Sequence, residues 1–297
     1  MKLRFWGVRG SIASPGPATV RYGGNTTCLE LRTDDNQVII VDAGTGLHPL
    51  SLSLLAELPV DTHILITHTH WDHIQGLPFF IPQFIPGNDF SIYGSYDPVT
   101  QKNVGETLSI QLQYSYFPVR EVELQSKPSY VTVNQREPFA IADATITPVL
   151  LNHPVINLGY RVDCNGKSFF FTGDHEPPFN MYQPGDESYA MYQEIIDERN
   201  GFIYESLQGI DVLVADSSYT PEEYRSGKEG WGHGTFDSSI GMARDLGVKQ
   251  LFFTHHEPTR SDDALEKVYA EALDRCDCST DERARFQLAR EGLEIEW

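Results

Sequence analysis

The chain has 297 residues, enough for one large α/β unit or two small ones with a substantial buried core. With 42 acidic against 22 basic residues its formal net charge is −20, which argues against large nucleic acid as a partner, because polyanions are held by basic surface. No apolar run is long enough to span a membrane and the N-terminus lacks a signal-peptide pattern, so Cys28, Cys164, Cys276 and Cys278 read as reduced thiols of a cytoplasmic protein.

Residues 2 to 6 alternate as a first strand and run into the loop Gly7-Val8-Arg9-Gly10-Ser11. Ser14-Pro15-Gly16-Pro17 and Tyr22-Gly23-Gly24-Asn25 are turn chemistry. Residues 28 to 32 and 37 to 41 pair as a hairpin, and the second strand ends in Asp42-Ala43-Gly44-Thr45-Gly46 ahead of a helix over 47–57. A strand leads through 61–67, and 76–85 is apolar but Pro-broken, leaving room for a short helix only. Residues 91–93 read as a strand, 99–113 as a helix and 114–119 as an aromatic loop. Strands follow at 130–133, 144–151, 158–163 and 167–172. The Pro- and Gly-punctuated run 177–185 reads as a lid or insertion, with a helix over 187–199 behind it. Then come a buried strand over 211–215 ending at Asp216, a helix over 235–246, a strand over 250–254, a helix over 262–274, and 293–297 closing a sheet edge. Two runs of strands, each followed by helices, point to an α/β sandwich of two sheets with helices on both outer faces.

One stretch carries the densest chemistry. The apolar run Ile64-Leu65-Ile66 leads directly into Thr67-His68-Thr69-His70-Trp71-Asp72-His73. Side chains two residues apart in extended chain point the same way, so His68 and His70 can converge on one ion. Asp72 and His73, past a bend, are placed to hold a second. Imidazoles with a carboxylate suit zinc, and the carboxylate also accommodates manganese or iron. Three later strand ends offer more groups: His153 after Val149-Leu150-Leu151, Asp174 in Phe170-Phe171-Thr172-Gly173-Asp174, and His255 after Leu251-Phe252-Phe253-Thr254. Asp42, at a strand end beside glycines, can either cap the following helix or orient a metal-binding histidine from behind.

These motifs, in this order, resemble the metallo-β-lactamase-fold hydrolases, and the likeness runs from Asp42 to His255 over nearly the whole chain. The resemblance implies a single domain over 1–297, a four-layer αββα sandwich of two mixed sheets; the Pro- and Gly-punctuated run makes the stretch around 176–205 a lid or interface insertion in it. It implies two divalent metal ions, zinc foremost. By that resemblance His68, His70 and His153 hold one metal; Asp72, His73 and His255 hold the other; Asp174 bridges both. His255 is preferred to its neighbour His256 because it directly follows the strand.

Gly230-Trp231-Gly232-His233-Gly234-Thr235 is similar to the His-x-Thr element of the family's phosphodiesterase branch, which includes ribonuclease Z and the phosphoribosyl cyclic phosphodiesterases. That likeness implies hydrolysis of a phosphodiester by water activated between the metals. His233 would assist the leaving group, and Asp72 would serve secondarily as a proton acceptor. Ribonuclease Z carries a long arm for tRNA, generally between the third ligand motif and the bridging aspartate, whereas His153 and Asp174 here lie only 21 positions apart. The expected substrate is therefore a small phosphodiester such as a cyclic nucleotide or other cyclic phosphate. Alternatives are tRNA 3′-end processing, thioester or lactone hydrolysis, and a metal-bearing binding module without turnover. The resemblance alone suggests a homodimer.

Overall fold

The computed structural model describes residues 1–297. The first half contributes strands β1 (Lys2–Gly7), β2 (Cys28–Arg32), β3 (Val38–Val41), β4 (Asp61–Leu65), β5 (Asp89–Gly94) and β6 (Ser129–Thr132). The second contributes β7 (Phe139–Ile141), β8 (Ala144–Leu151), β9 (Asn157–Cys164), β10 (Lys167–Phe171), β11 (Val212–Asp216), β12 (Gln250–Thr254) and β13 (Phe286–Leu288). The last strand, β14 (Glu294–Glu296), returns to the first sheet and pairs antiparallel with β1, closing its edge as the sequence predicts. The two seven-stranded sheets run β14-β1-β2-β3-β4-β5-β6 and β13-β12-β11-β10-β9-β8-β7. Each is mixed: β3 to β6 and β10 to β13 are parallel, and the other pairings are antiparallel.

The helices are α1 (Leu47–Leu54), α2 (Trp71–Ile74), α3 (Val104–Leu108), α4 (Tyr189–Ser206), α5 (Pro221–Arg225), α6 (Phe236–Leu246), α7 (Asp262–Arg275) and α8 (Thr280–Arg285). α1 and α3 pack an apolar layer on the outer face of the first sheet, and α4, α6 and α7 do so on the second. This is the four-layer αββα sandwich. Every residue of β3 and of β11 is buried, as expected of parallel strands covered on both faces. The helix α6 shows how local sequence sets an element. The Thr235 hydroxyl accepts from Ser238 N–H to open it, and Gly247, at φ 64°, ends it in the left-handed conformation. Between those stops Phe236, Ile240, Ala243 and Leu246 lie along one buried face.

The core between the sheets is dominated by aromatic side chains, including Phe5, Tyr160, Phe169, Phe171 and Phe252, with the Phe5 and Phe252 rings 5.4 Å apart. Phe171 is 1% exposed and precedes the turn that carries Asp174. Phe171→Ala is expected to cost about 3–5 kcal/mol, measured as a lowered urea midpoint at unchanged m-value.

One predicted element is much shorter than its pattern. Residues 99–113 do not form a continuous helix: α3 covers Val104–Leu108 and a 3₁₀ turn covers Ser109–Leu112. The Asp97 carboxylate accepts from Val99 N–H (2.9 Å), closing a turn ahead of the helix. Asn103 and Glu106 then form a reciprocal capping box that fixes the helix start at Val104, five residues later than the pattern alone implies. The helix behind the Pro- and Gly-rich run is instead longer than expected, Tyr189–Ser206, while the short strands β7 and β13 carry too little periodicity to be read in advance. No helix is long and apolar enough to cross a membrane, and all four cysteines are free thiols.

Candidate metal centre

The chemical groups collect where strands of both sheets run out. β4 ends at Leu65 and opens into the His68–His73 loop; β8 leads to His153, β10 to Asp174, β11 to Asp216 and β12 to His255. Carboxyl ends of strands give rigid attachment to side chains that face a loop-lined cleft.

Asp42 settles its own role. It is fully buried at φ 62°, a strained setting for a residue with a side chain. Its Oδ1 accepts from Thr67 N–H (2.8 Å), and its Oδ2 accepts from the Thr67 hydroxyl (2.9 Å) and from His73 Nδ1–H (2.7 Å). The helix α1 begins at Gly46 with no side-chain cap, so Asp42 orients His73 and does not cap.

The structure brings seven sequence-predicted groups into two overlapping sets. His68, His70, His153 and Asp174 form one; Asp72, His73, Asp174 and His255 form the other; within each, all candidate ligand atoms lie within 4.8 Å of one another. Asp174 divides its oxygens between them. Oδ2 lies 3.5 Å from His68 Nε2, while Oδ1 lies 3.2 Å from both His73 Nε2 and His255 Nε2. His70 Nδ1 sits 3.1 Å from His153 Nε2, and Asp72 Oδ2 sits 3.3 Å from His255 Nε2. His256 faces the other way, its Nε2–H donating to the Ala289 carbonyl (2.8 Å). Burial draws its pKa down to about 3, so it remains neutral among backbone groups.

The far nitrogens fix which atoms point inward. His153 Nδ1–H donates to the Gly232 carbonyl (2.9 Å), which can only accept, so Nε2 carries the lone pair. His73 is held likewise by Asp42, and His68 Nδ1–H donates to Thr67 Oγ1 (3.1 Å). Ser218 donates its hydroxyl to Asp216 Oδ1 (2.8 Å) and accepts from His255 Nδ1–H (2.8 Å). Such outer partners are what orient metal-binding imidazoles.

The donor set fits divalent cations on three observations. His68 Nε2, His73 Nε2 and Asp174 Oδ1 are buried atoms without a hydrogen-bond partner, although such atoms are costly to leave bare. Four buried carboxylates, Asp42, Asp72, Asp174 and Asp216, crowd together with only histidines as ion-pair partners. Finally, although burial alone would lower it, His255 is raised to about 9, chiefly by the Asp174 and Asp216 carboxylates. The cluster draws protons where it has no stronger cation. Burial would raise the Asp72 carboxyl, but His73 and His255 outweigh it and hold it well below the ordinary range.

The sequence reading placed His233 near the metals, and the structure brings it there: its ring stacks 4.6 Å from that of His255. It missed Asp216. Asp216 Oδ2 accepts from His233 Nδ1–H (2.9 Å), leaving Nε2 as the nitrogen available to the cavity of about 410 Å³ that His233 lines with Ser11, His70, Trp71, Asp72 and Asp174. The available signal was an aspartate closing an apolar strand, the same pattern as Asp42. Ser218 gave no such signal.

The N-terminal loop closes the site from above, with Ser11 N–H donating to Asp72 Oδ2 (2.7 Å). A Cβ on Gly10 would overlap the His255 imidazole, whose other side is held by Ser218. Gly10→Ala is therefore expected to lower affinity for the metal between Asp72, His73 and His255 by about tenfold or more, read by metal titration, and to spare the other site.

The chain has relatives on both sequence and structural grounds. Ribonuclease Z of Lachnoclostridium phytofermentans is 23% identical over 294 residues, covering 88% of this chain and 90% of the relative. A diphosphatase from the PhnP family superposes with a TM-score of 0.64 at 19% identity, over 100% of this chain and 97% of the other. Unliganded yeast PDE1 superposes with a TM-score of 0.66 at 17% identity, over 100% and 99%. At such identities the superpositions speak to the fold. The model of the Beta-lactamase superfamily domain matches residues 37–256, well over half of the chain and the span from the strand before Asp42 through His255. The chain thus belongs to the beta-lactamase superfamily and is a hydrolase of that family.

Proposed function

We propose that this hydrolase is a phosphodiesterase for a small phosphodiester, a cyclic nucleotide or another cyclic phosphate, working with two divalent ions, zinc foremost and manganese or iron as alternatives. The observation that carries this reading is His233: an imidazole at the edge of the ligand cluster, oriented by Asp216 and lining the same cavity as Asp72 and Asp174. His68, His70 and His153 would hold one ion, Asp72, His73 and His255 the other, and Asp174 both. Bound there, the ions supply an activated water and Lewis acidity toward the phosphoryl oxygens. The chain's own residues do the rest. Asp174 fixes the spacing of the two sites through its two oxygens. Ser11 N–H holds Asp72, which serves secondarily as a proton acceptor. His233, with Nδ1–H committed to Asp216, presents Nε2 to donate a proton to the departing ester oxygen, a general-acid contribution of roughly 10²–10⁴-fold.

The ribonuclease Z relatives favour a second reading, tRNA 3′-end processing. Against it, the interval between His153 and Asp174 is filled by the β9–β10 hairpin with its Asn165-Gly166 turn, leaving no arm at this place, and the net charge is −20. Metal analysis with an activity panel separates the readings. The panel comprises bis(p-nitrophenyl) phosphate, 2′,3′- and 3′,5′-cyclic nucleotides, a thioester and a tRNA precursor. Turnover of one or more small diesters is expected; hydrolysis of the thioester alone would overturn the phosphodiesterase reading, and cleavage of the tRNA precursor alone would install the second.

A further inference from the structure

Beside His153 lies a second cavity, of about 340 Å³, within the size range of ligand pockets. His153 and Gly232 form its inner wall, so it adjoins the centre directly; Phe179, Met181 and Ile195 form the outer wall. Those three side chains are 45%, 63% and 52% exposed, apolar surface beside a polar cleft. They come from the segment around 176–205 that the sequence marked as an insertion.

The cation in this cavity is Arg199, on α4. Its Nη2–H donates to the Leu151 carbonyl (3.1 Å), and no carboxylate lies within ion-pair distance. One bond leaves most of the five guanidinium donors unused. Burial lowers its pKa and only Tyr192 pushes the other way, so no acid compensates the desolvated charge. In a chain with 42 acidic residues that isolation is notable. The carboxylate on the wall, Glu176, is committed elsewhere. It accepts from Gly230 N–H (2.8 Å), Gly232 N–H (2.8 Å) and the Tyr224 hydroxyl (2.5 Å), tying down the loop that carries His233.

We propose that this cavity is a substrate subsite that takes a second anionic group, a phosphate or a carboxylate, borne by one alcohol of the phosphodiester, with Arg199 as its counter-charge. Phe179, Met181 and Ile195 cover the carbon skeleton between the two anions, and His153 marks the boundary with the scissile group. This proposal rests on the phosphodiesterase reading for its substrate class, and it assigns the Arg199–Phe179 segment the role of specificity element. The competing role for Arg199 is structural, through Leu151 alone.

The test compares adenosine 2′,3′-cyclic phosphates that differ only at the 5′ position: hydroxyl, phosphate or carboxylate. In the zinc-loaded wild type, kcat/KM for one anionic compound is expected to exceed that for the 5′-hydroxyl compound by about tenfold or more, the scale of one charge-assisted contact. The preferred compound identifies which anion the subsite takes. Arg199→Met is expected to collapse that ratio to about one, whatever it does to the common rate, and Arg199→Lys to restore part of it. No preference in the wild type, or the same ratio in Arg199→Met, would overturn the subsite. Should none of the three be turned over, the phosphodiesterase reading stands or falls on the wider panel above. Calorimetric binding of the same compounds to zinc-loaded protein then reads the cavity alone, with equal affinities in wild type counting against it and an Arg199-dependent preference counting for it.

Discussion

Asp174→Ala is expected to empty both metal sites and abolish turnover together. Asp174 offers one oxygen to each set of histidines, Oδ2 to His68 and Oδ1 to His73 and His255, so its removal strips a ligand from two places with one substitution. Elemental analysis of purified protein should show the metal content fall for both ions. The loss of affinity should exceed the roughly 10–100-fold typical of removing an outer partner of a metal ligand. Asp42→Asn supplies that comparison, because Asp42 touches His73 Nδ1 from behind and reaches no metal. A variant Asp174→Ala with full metal content and full activity would show that the oxygens do not bridge.

His233→Ala is expected to do the opposite: keep both metals and lose rate. His233 Nδ1–H is satisfied by Asp216, and the two ligand sets are complete without it. The fall in kcat should be about 10²–10⁴-fold for an alkyl leaving group and much smaller for p-nitrophenolate, which needs no proton to depart. Asp216→Asn should follow the same pattern at reduced amplitude, since it leaves the imidazole present but without its carboxylate partner. Loss of metal in His233→Ala would instead make His233 a ligand, consistent with its place near Asp174, Asp216 and His255.

Much of this site is legible in the chain because each ligand marks the end of an apolar strand, and strand ends are visible as short buried runs followed by polar loops. The four groups of His68–His73 are read from local spacing alone. His153, Asp174 and His255 need the resemblance to link them, since nothing in spacing brings residues about 80 to 190 positions away onto one ion. Asp216 and Ser218 escaped because their role is to hold other residues, His233 and His255, and such roles depend on side chains from separate strands meeting in three dimensions. The fold was legible for a similar reason. Strong strands such as Val149-Leu150-Leu151 announce themselves, whereas the 99–113 helix was misjudged because a side-chain-closed turn at Asp97 and the Asn103 cap outweighed the apolar pattern.

The division of ligands between the two sheets bears on how the protein is held together. His68, His70, Asp72 and His73 follow β4 of the first sheet; His153, Asp174 and His255 follow strands of the second. The loop after β4 by itself offers each set only two of its four groups, His68 with His70 and Asp72 with His73. Both sets are complete only when the two sheets have come together, since Asp174 and either His153 or His255 follow strands of the second. Ions held in both sets would therefore act as a clasp between the two sheets.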